Sequence, residues 1–165
     1  GLGINYHQPD QQIPDFKAYF KIFSDFLVVK PHQQVHFELG RALVGQCASL
    51  ISRVLYVKNG KKKNFLILDA GMTELMRPAL YQAYHQIENI SRQLKVGQKD
   101  EFMTKYDVVG PICESTDCFG KEVQLPTTLR NDLIAIRSTG AYGEVMSSNY
   151  NLREKVITIS NEDII

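Results

Sequence analysis

Apolar residues between positions 14 and 28 recur at three- and four-residue steps, at Phe16, Tyr19, Phe20, Phe23, Phe26 and Leu27. That spacing lines one face of a helix and predicts an amphipathic helix whose aromatic stripe faces a core. Pro14 suits its first turn, where a missing N–H costs nothing. Lys30-Pro31 stops it, because the residue before a proline is pushed out of the helical region. Residues 34–37 then read as a short strand ending at Glu38-Leu39-Gly40-Arg41. A glycine loop, a helix, a strand and a Gly-Arg turn make one unit of a parallel α/β fold. Past Ala42 the pattern changes. Residues 53–57 and 64–68 are β-type runs flanking Asn59-Gly60, a strong hairpin signal. Residues 107–112, 132–137 and 155–159 read as further strands, and several short strands with turn signals predict an antiparallel barrel or sandwich. Residues 93–102, rich in Lys and Gln, read as a solvated loop or insertion.

Composition narrows the function classes. The 165 residues are 44% hydrophobic and 22% charged with net charge +1, an ordinary soluble domain able to bury a core. Near-neutral charge argues against nucleic acid or an anionic membrane as partner. The one basic run, Lys61-Lys62-Lys63, follows Asn59-Gly60 and reads as a solvated hairpin tip. No apolar run reaches the length of a membrane span, and no signal-peptide pattern opens the chain. Cys47, Cys113 and Cys118 form no Cys-x-x-Cys pair, and an odd count fits reduced thiols in a cytoplasmic protein. His7, His32, His36 and His85 lack zinc-ligand spacing with those cysteines, so no metal site is expected.

Candidate chemistry concentrates where a short apolar run meets a Gly-Pro breaker, in Gly110-Pro111-Ile112-Cys113-Glu114-Ser115-Thr116-Asp117. Strand, turn and then reactive groups is how scaffolds present chemistry on loops. On its residues alone, Cys113 reads as a small buried structural thiol. Arg77 and Tyr81 stand four apart across Pro78, so a shared helical face cannot be assumed. Read alone they are a capping arginine and a half-buried tyrosine. Tyr142 reads as packed at a strand end, and Glu38 and Arg41 as a surface pair beside a turn glycine.

Set against these readings, Gly110-Pro111-Ile112-Cys113-Glu114-Ser115 with Asp117, followed by Gly140-Ala141-Tyr142-Gly143, resembles the C-terminal signature of the diaminopimelate decarboxylase family. These are pyridoxal-phosphate enzymes of the alanine-racemase-like fold type. Four separated motifs recur in family order over nearly the whole chain. The family holds the cofactor phosphate with a Gly-Gly-Gly-Leu-Gly-Ile loop and a Glu-Pro-Gly-Arg turn. The chain begins inside the first at Gly1 and carries the second as Glu38-Leu39-Gly40-Arg41, with Leu39 in place of proline. The resemblance implies cofactor contacts from Gly1, Glu38, Gly40, Arg41 and Tyr142. It implies substrate contacts from Arg41, Arg77, Tyr81, Glu114 and Tyr142, the arginines and Tyr81 taking the distal carboxylate and Glu114 the distal amino group. Guanidinium suits that carboxylate because it binds in a bidentate fork. Cys113 is implied as the proton donor that acts after carbon dioxide leaves. An ordinary thiol keeps its proton at neutral pH, and an ionised Glu114 beside it opposes thiolate formation. Relatives acting on ornithine or arginine usually carry Cys-Asp there, so Cys113-Glu114 favours meso-diaminopimelate. Asp117, Cys118, Ser147, Ser148 and Asn149 lie in matching stretches with no role assigned.

The expected fold is therefore mainly β. A C-terminal antiparallel β-barrel or sandwich covers residues 42–165, preceded over residues 1–41 by the last βα unit of an incomplete (β/α)8 barrel. Such a barrel takes about 250 residues, so the chain reads as the C-terminal part of a homodimeric decarboxylase. The lysine that would form the Schiff base belongs to the absent part, and the piece alone is expected to be inactive. Two alternatives stay open at this point: a non-catalytic β-barrel module that binds protein, and a decarboxylase for carboxylated polyamines.

Overall fold

The computed structural model describes residues 1–10, 14–93 and 102–164. Six strands form one sheet: β1 (Leu50–Asn59), β2 (Asn64–Leu68), β3 (Ile87–Asn89), β4 (Met103–Val109), β5 (Cys118–Pro126) and β6 (Leu133–Ile136). Their order across the sheet is β3-β6-β1-β2-β4-β5. All neighbours are antiparallel except β2 and β4, which pair in parallel from Asn64↔Tyr106 to Ile67↔Val109. A parallel pair needs a crossover rather than a hairpin, and α3 (Arg77–Tyr81), β3 and α4 (Ile90–Gln93) lie on that connection. The edges β3 and β5 curl toward each other: a Cβ added at Gly120 would lie 3.3 Å from Ile87 Cδ1. The sheet is thus nearly closed, as a barrel.

Its interior is apolar. Val54, Leu66, Leu68, Tyr106, Val108, Phe119, Leu125, Ile134 and Ile136 form one buried cluster together with Ala70, Leu75 and Ile87. Several buried polar groups are paired, which offsets the cost of burial in low dielectric. Asn89 Nδ2 donates to Thr128 Oγ1 and to Asp132 Oδ2, which also accepts from Arg92 Nε. The β1–β2 hairpin closes on Asn59↔Asn64, with Gly60 N–H donating to the Lys63 carbonyl. Lys61 and Lys62 are exposed, whereas Lys63 reaches Asp107 Oδ2 at 2.8 Å. Burial raises the Asp107 pKa, but the bonds from Lys63 and the Glu122 amide outweigh it and hold that carboxyl below its usual range.

Several expectations need correction. Residues 34–37 and 155–159 are exposed and form no strand. A β-type composition becomes a strand only when a partner completes its ladder, and neither stretch has one among the described residues. The first helix, α1, spans Phe16–Phe26, and Pro14 precedes its N-cap Asp15, whose side chain accepts from the Ala18 amide at 2.9 Å. The aromatic stripe of α1 is not core. No α1 residue is buried and Phe26 is 83% exposed, while Phe37 packs edge-on against Tyr19, Phe20 and Phe23. Of the expected loop over 93–102, Gln93 ends α4 and Phe102 is exposed; residues 94–101 lie outside the described residues. β3 and β5 were not expected from the pattern.

Candidate functional site

The short helix α2 (Gly40–Val44) carries Gly40 and Arg41 in its first turn. The loop Gly140-Ala141-Tyr142-Gly143 docks directly on it, with Gly140 N–H donating to the Gly45 carbonyl and Thr139 N–H to that of Ala48. A side chain at Gly140 would stand 1.9 Å from the Val44 carbonyl oxygen, so this approach needs glycine. Tyr142 is held at φ 62°, a left-handed conformation costly for a bulky residue. Its hydroxyl comes within 3.5 Å of where a Gly40 Cβ would stand, and its ring lies 5.3 Å from the Arg41 guanidinium carbon. Gly1 belongs to the same region, since a Cβ there would sit 3.9 Å from the Glu38 carbonyl oxygen.

Arg77 arrives from the other side. Pro78 occupies the first turn of α3, where no N–H is needed, so Arg77 and Tyr81 do share one helix. Their environments differ: Arg77 is 5% exposed and Tyr81 62%. Arg77 is thus a buried residue of the first turn of α3 with no carboxylate partner among the described residues, and Tyr81 is exposed rather than half-buried. The Tyr6 ring sits between the two arginines, 4.8 Å from the Arg77 and 5.9 Å from the Arg41 guanidinium carbon. His85 packs against Tyr6 at 5.0 Å and lies 2.8 Å from Arg77 Nη1. Arg77 Nε and the Tyr6 hydroxyl are buried with no hydrogen-bond partner among the described residues.

Cys113 and Glu114 sit on a separate loop. Ile112 is buried and Asp117 pins the loop, its Oδ2 accepting the Ile112 amide and its Oδ1 the Met72 amide, both at 2.7 Å. Burial raises the Asp117 pKa, with those two amides opposing. Cys113, read on its residues as a buried thiol, is exposed. Glu114 Oε1 accepts from the Tyr150 hydroxyl at 2.6 Å, a bond that raises the Tyr150 pKa and keeps its proton on. Among the described residues no hydrogen bond, ion pair or ring contact joins Cys113 or Glu114 to Arg41, Arg77 or Tyr142. Ser148 N–H donates to the Thr73 carbonyl, Asn149 caps the Arg153 carbonyl, and Cys118 begins β5 with burial raising its pKa. Tyr6, His85 and Tyr150 were not singled out from the sequence, since each acts only through residues distant along the chain.

Residues 19–140 match the family model described as the C-terminal sheet domain of pyridoxal-dependent decarboxylases. The diaminopimelate decarboxylase of Bacteroides thetaiotaomicron is 57% identical over 100% of this chain and 41% of its own length. That of Neisseria meningitidis serogroup B is 42% identical over 96% and 36%. The diaminopimelate decarboxylase of M. jannaschii, solved in co-complex with L-lysine, superposes with TM-score 0.74 at 33% identity, over 94% of this chain and 35% of that one. The chain thus spans roughly two fifths of the length of the curated relatives it matches. By sequence match and by the nearly closed sheet, the chain belongs to the pyridoxal-dependent decarboxylase family and carries its C-terminal sheet domain.

Proposed function

We propose that the chain is the C-terminal part of a cytoplasmic, homodimeric diaminopimelate decarboxylase, which converts meso-diaminopimelate to L-lysine and carbon dioxide. One observation carries this reading beyond the family. Arg41 and Arg77 converge on the Tyr6 ring, and neither has an acidic partner among the described residues. Two clustered cations without a counter-ion suit an anionic ligand, and guanidinium favours planar carboxylate or phosphate.

Residues 1–41 would complete the cofactor-binding barrel and residues 42–165 form the sheet domain. The residues fit pyridoxal phosphate by their donor chemistry. Leu39 gives α2 no side-chain cap, so the amides of its first turn are free to donate. The Arg41 guanidinium and the Tyr142 hydroxyl add donors beside them, and Gly1 and Glu38 border the same space. Bound there, pyridoxal phosphate supplies the electron sink for decarboxylation. The chain's own groups do the rest. Arg77, with Arg41 and Tyr81, orients the distal carboxylate, and Glu114 takes the distal ammonium. Cys113 Sγ delivers a proton to the carbon that lost its carboxylate.

Among the described residues, Cys113 and Glu114 make no hydrogen bond, ion pair or ring contact with the arginine cluster, which is compatible with a site completed across a two-fold interface. In the complete-length protein, Arg77→Lys should lower kcat/KM for meso-diaminopimelate about 10- to 150-fold, the value of a lost charge-assisted contact. An unchanged kcat/KM removes Arg77 from the site. Co-expressing one variant lacking the cofactor lysine with another carrying Cys113→Ala should restore activity, up to about one quarter of wild type for random pairing. Heterodimers without activity would place Cys113 in its own chain's site or in none.

A further inference from the structure

We propose that His85 is a positioning residue for Arg77, holding one edge of its guanidinium so that the opposite edge meets the substrate carboxylate. The inference rests on the substrate site proposed above. Gln82, left-handed at φ 53°, ends α3 and reverses the chain, which brings His85 back beneath Arg77. His85 is 2% exposed, so its neighbours rather than solvent set its proton positions. Its Nδ1 lies 2.9 Å from the Arg137 carbonyl oxygen, which can only accept. The ring proton is therefore on Nδ1, and Nε2 presents a lone pair. That lone pair accepts from Arg77 Nη1 at 2.8 Å. Burial lowers the His85 pKa to about 4, against the pull of the Arg137 carbonyl, and the nearby Arg77 and Arg41 charges lower it further. The ring is neutral at physiological pH.

A neutral acceptor has a consequence that a carboxylate would not. It fixes the guanidinium without cancelling its charge, which leaves that charge for an incoming anion. With Nη1 engaged, the Nε–H and the neighbouring Nη2–H form the edge that matches two carboxylate oxygens. Nε is buried and unpartnered among the described residues, and the Tyr6 ring covers the guanidinium face.

Two variants separate positioning from packing, with Arg77→Lys measured beside them in the complete-length decarboxylase. His85→Asn can keep the donor toward the Arg137 carbonyl but loses the acceptor toward Arg77, whereas His85→Gln can place an oxygen where Nε2 stands. His85→Asn should raise KM for meso-diaminopimelate roughly ten-fold, the worth of one hydrogen bond to a charged group, while kcat changes less than about three-fold. His85→Gln should stay within about three-fold of wild type in KM. The proposal is overturned if His85→Asn keeps the wild-type KM while Arg77→Lys loses activity, an outcome that leaves the substrate site intact. It is also overturned if both His85 variants lose kcat and thermal stability alike, or if His85→Asn does not fold, since the role is then structural. If Arg77→Lys itself is unaffected, the substrate-site reading fails and this inference with it.

Discussion

Replacing Asp117 with asparagine tests how the Cys113 loop is held. The two carboxylate oxygens of Asp117 accept one backbone amide each, Met72 and Ile112, both at 2.7 Å. Asparagine has the same shape but one acceptor oxygen, and its other end can only donate. One of the two amides must then face a donor. The Asp117 side chain is buried and packs against Gly71 and Gly110, where an added Cβ on either glycine would meet its carboxylate oxygens, so water cannot readily replace the lost acceptor. A hydrogen bond to a charged group is worth about 1.5–3 kcal/mol. At about 1.4 kcal/mol per factor of ten, the released amide should exchange about 10- to 150-fold faster with deuterium. Hydrogen-exchange mass spectrometry of the complete protein reads this in peptides covering Met72 and Ile112. Pro111 carries no N–H, so the Ile112 signal is not blurred by its predecessor. In the proposed enzyme kcat should fall too, since Cys113 follows Ile112 directly. Unchanged protection at both amides in Asp117→Asn would refute the claim that this carboxylate pins the loop.

Leu66 is fully buried in the sheet's core, so Leu66→Ala should cost about 2–5 kcal/mol of unfolding free energy; an unmoved denaturation midpoint would show that the site repacks. Gly140→Ala drives a methyl into the Val44 carbonyl and the Cys47 sulfur, and should destabilise by about 1–3 kcal/mol or more while weakening cofactor retention; equal retention would free Tyr142 from that docking. Burial, with the Arg77 and Arg41 charges adding to it and the Arg137 carbonyl opposing, lowers the His85 pKa from 6.5 to about 4, so the folded state binds fewer protons there than the unfolded one. Its stability contribution is full above pH 6.5 and is lost as pH falls through about 4, a difference near 3 kcal/mol. Wild type should lose that much more than His85→Gln between pH 7.5 and pH 4, and equal losses would mean that His85 is not the buried neutral ring described.

Local chemistry made part of this protein legible. Asn59-Gly60 marks its hairpin, since Asn59 ends β1 and a Cβ at Gly60 would lie 2.6 Å from the Lys63 carbonyl oxygen, and β2 spans the 64–68 run residue for residue. The motifs around Gly40, Arg77, Cys113 and Tyr142 identify the family because each is a short contiguous string. What required a partner was not legible. β3 is three residues long and is a strand only because β6 completes its hydrogen bonds. Residues 34–37 have strand composition but no such neighbour among the described residues, and the α1 stripe has helical spacing but no buried residue. The same division runs through the site. The family resemblance marked Arg41, Arg77 and Tyr142 as candidates, yet which of them meet depends on Gly140 packing on Val44 and on the turn at Gln82. Tyr6 between the arginines and His85 beneath one of them follow from contacts dozens of residues apart along the chain, as in the bond from His85 to Arg137. Sequence pattern encodes period and turn chemistry, which are local. Burial, strand pairing and the tautomer of a histidine are set by whatever the fold brings alongside, so only the tertiary structure decided them.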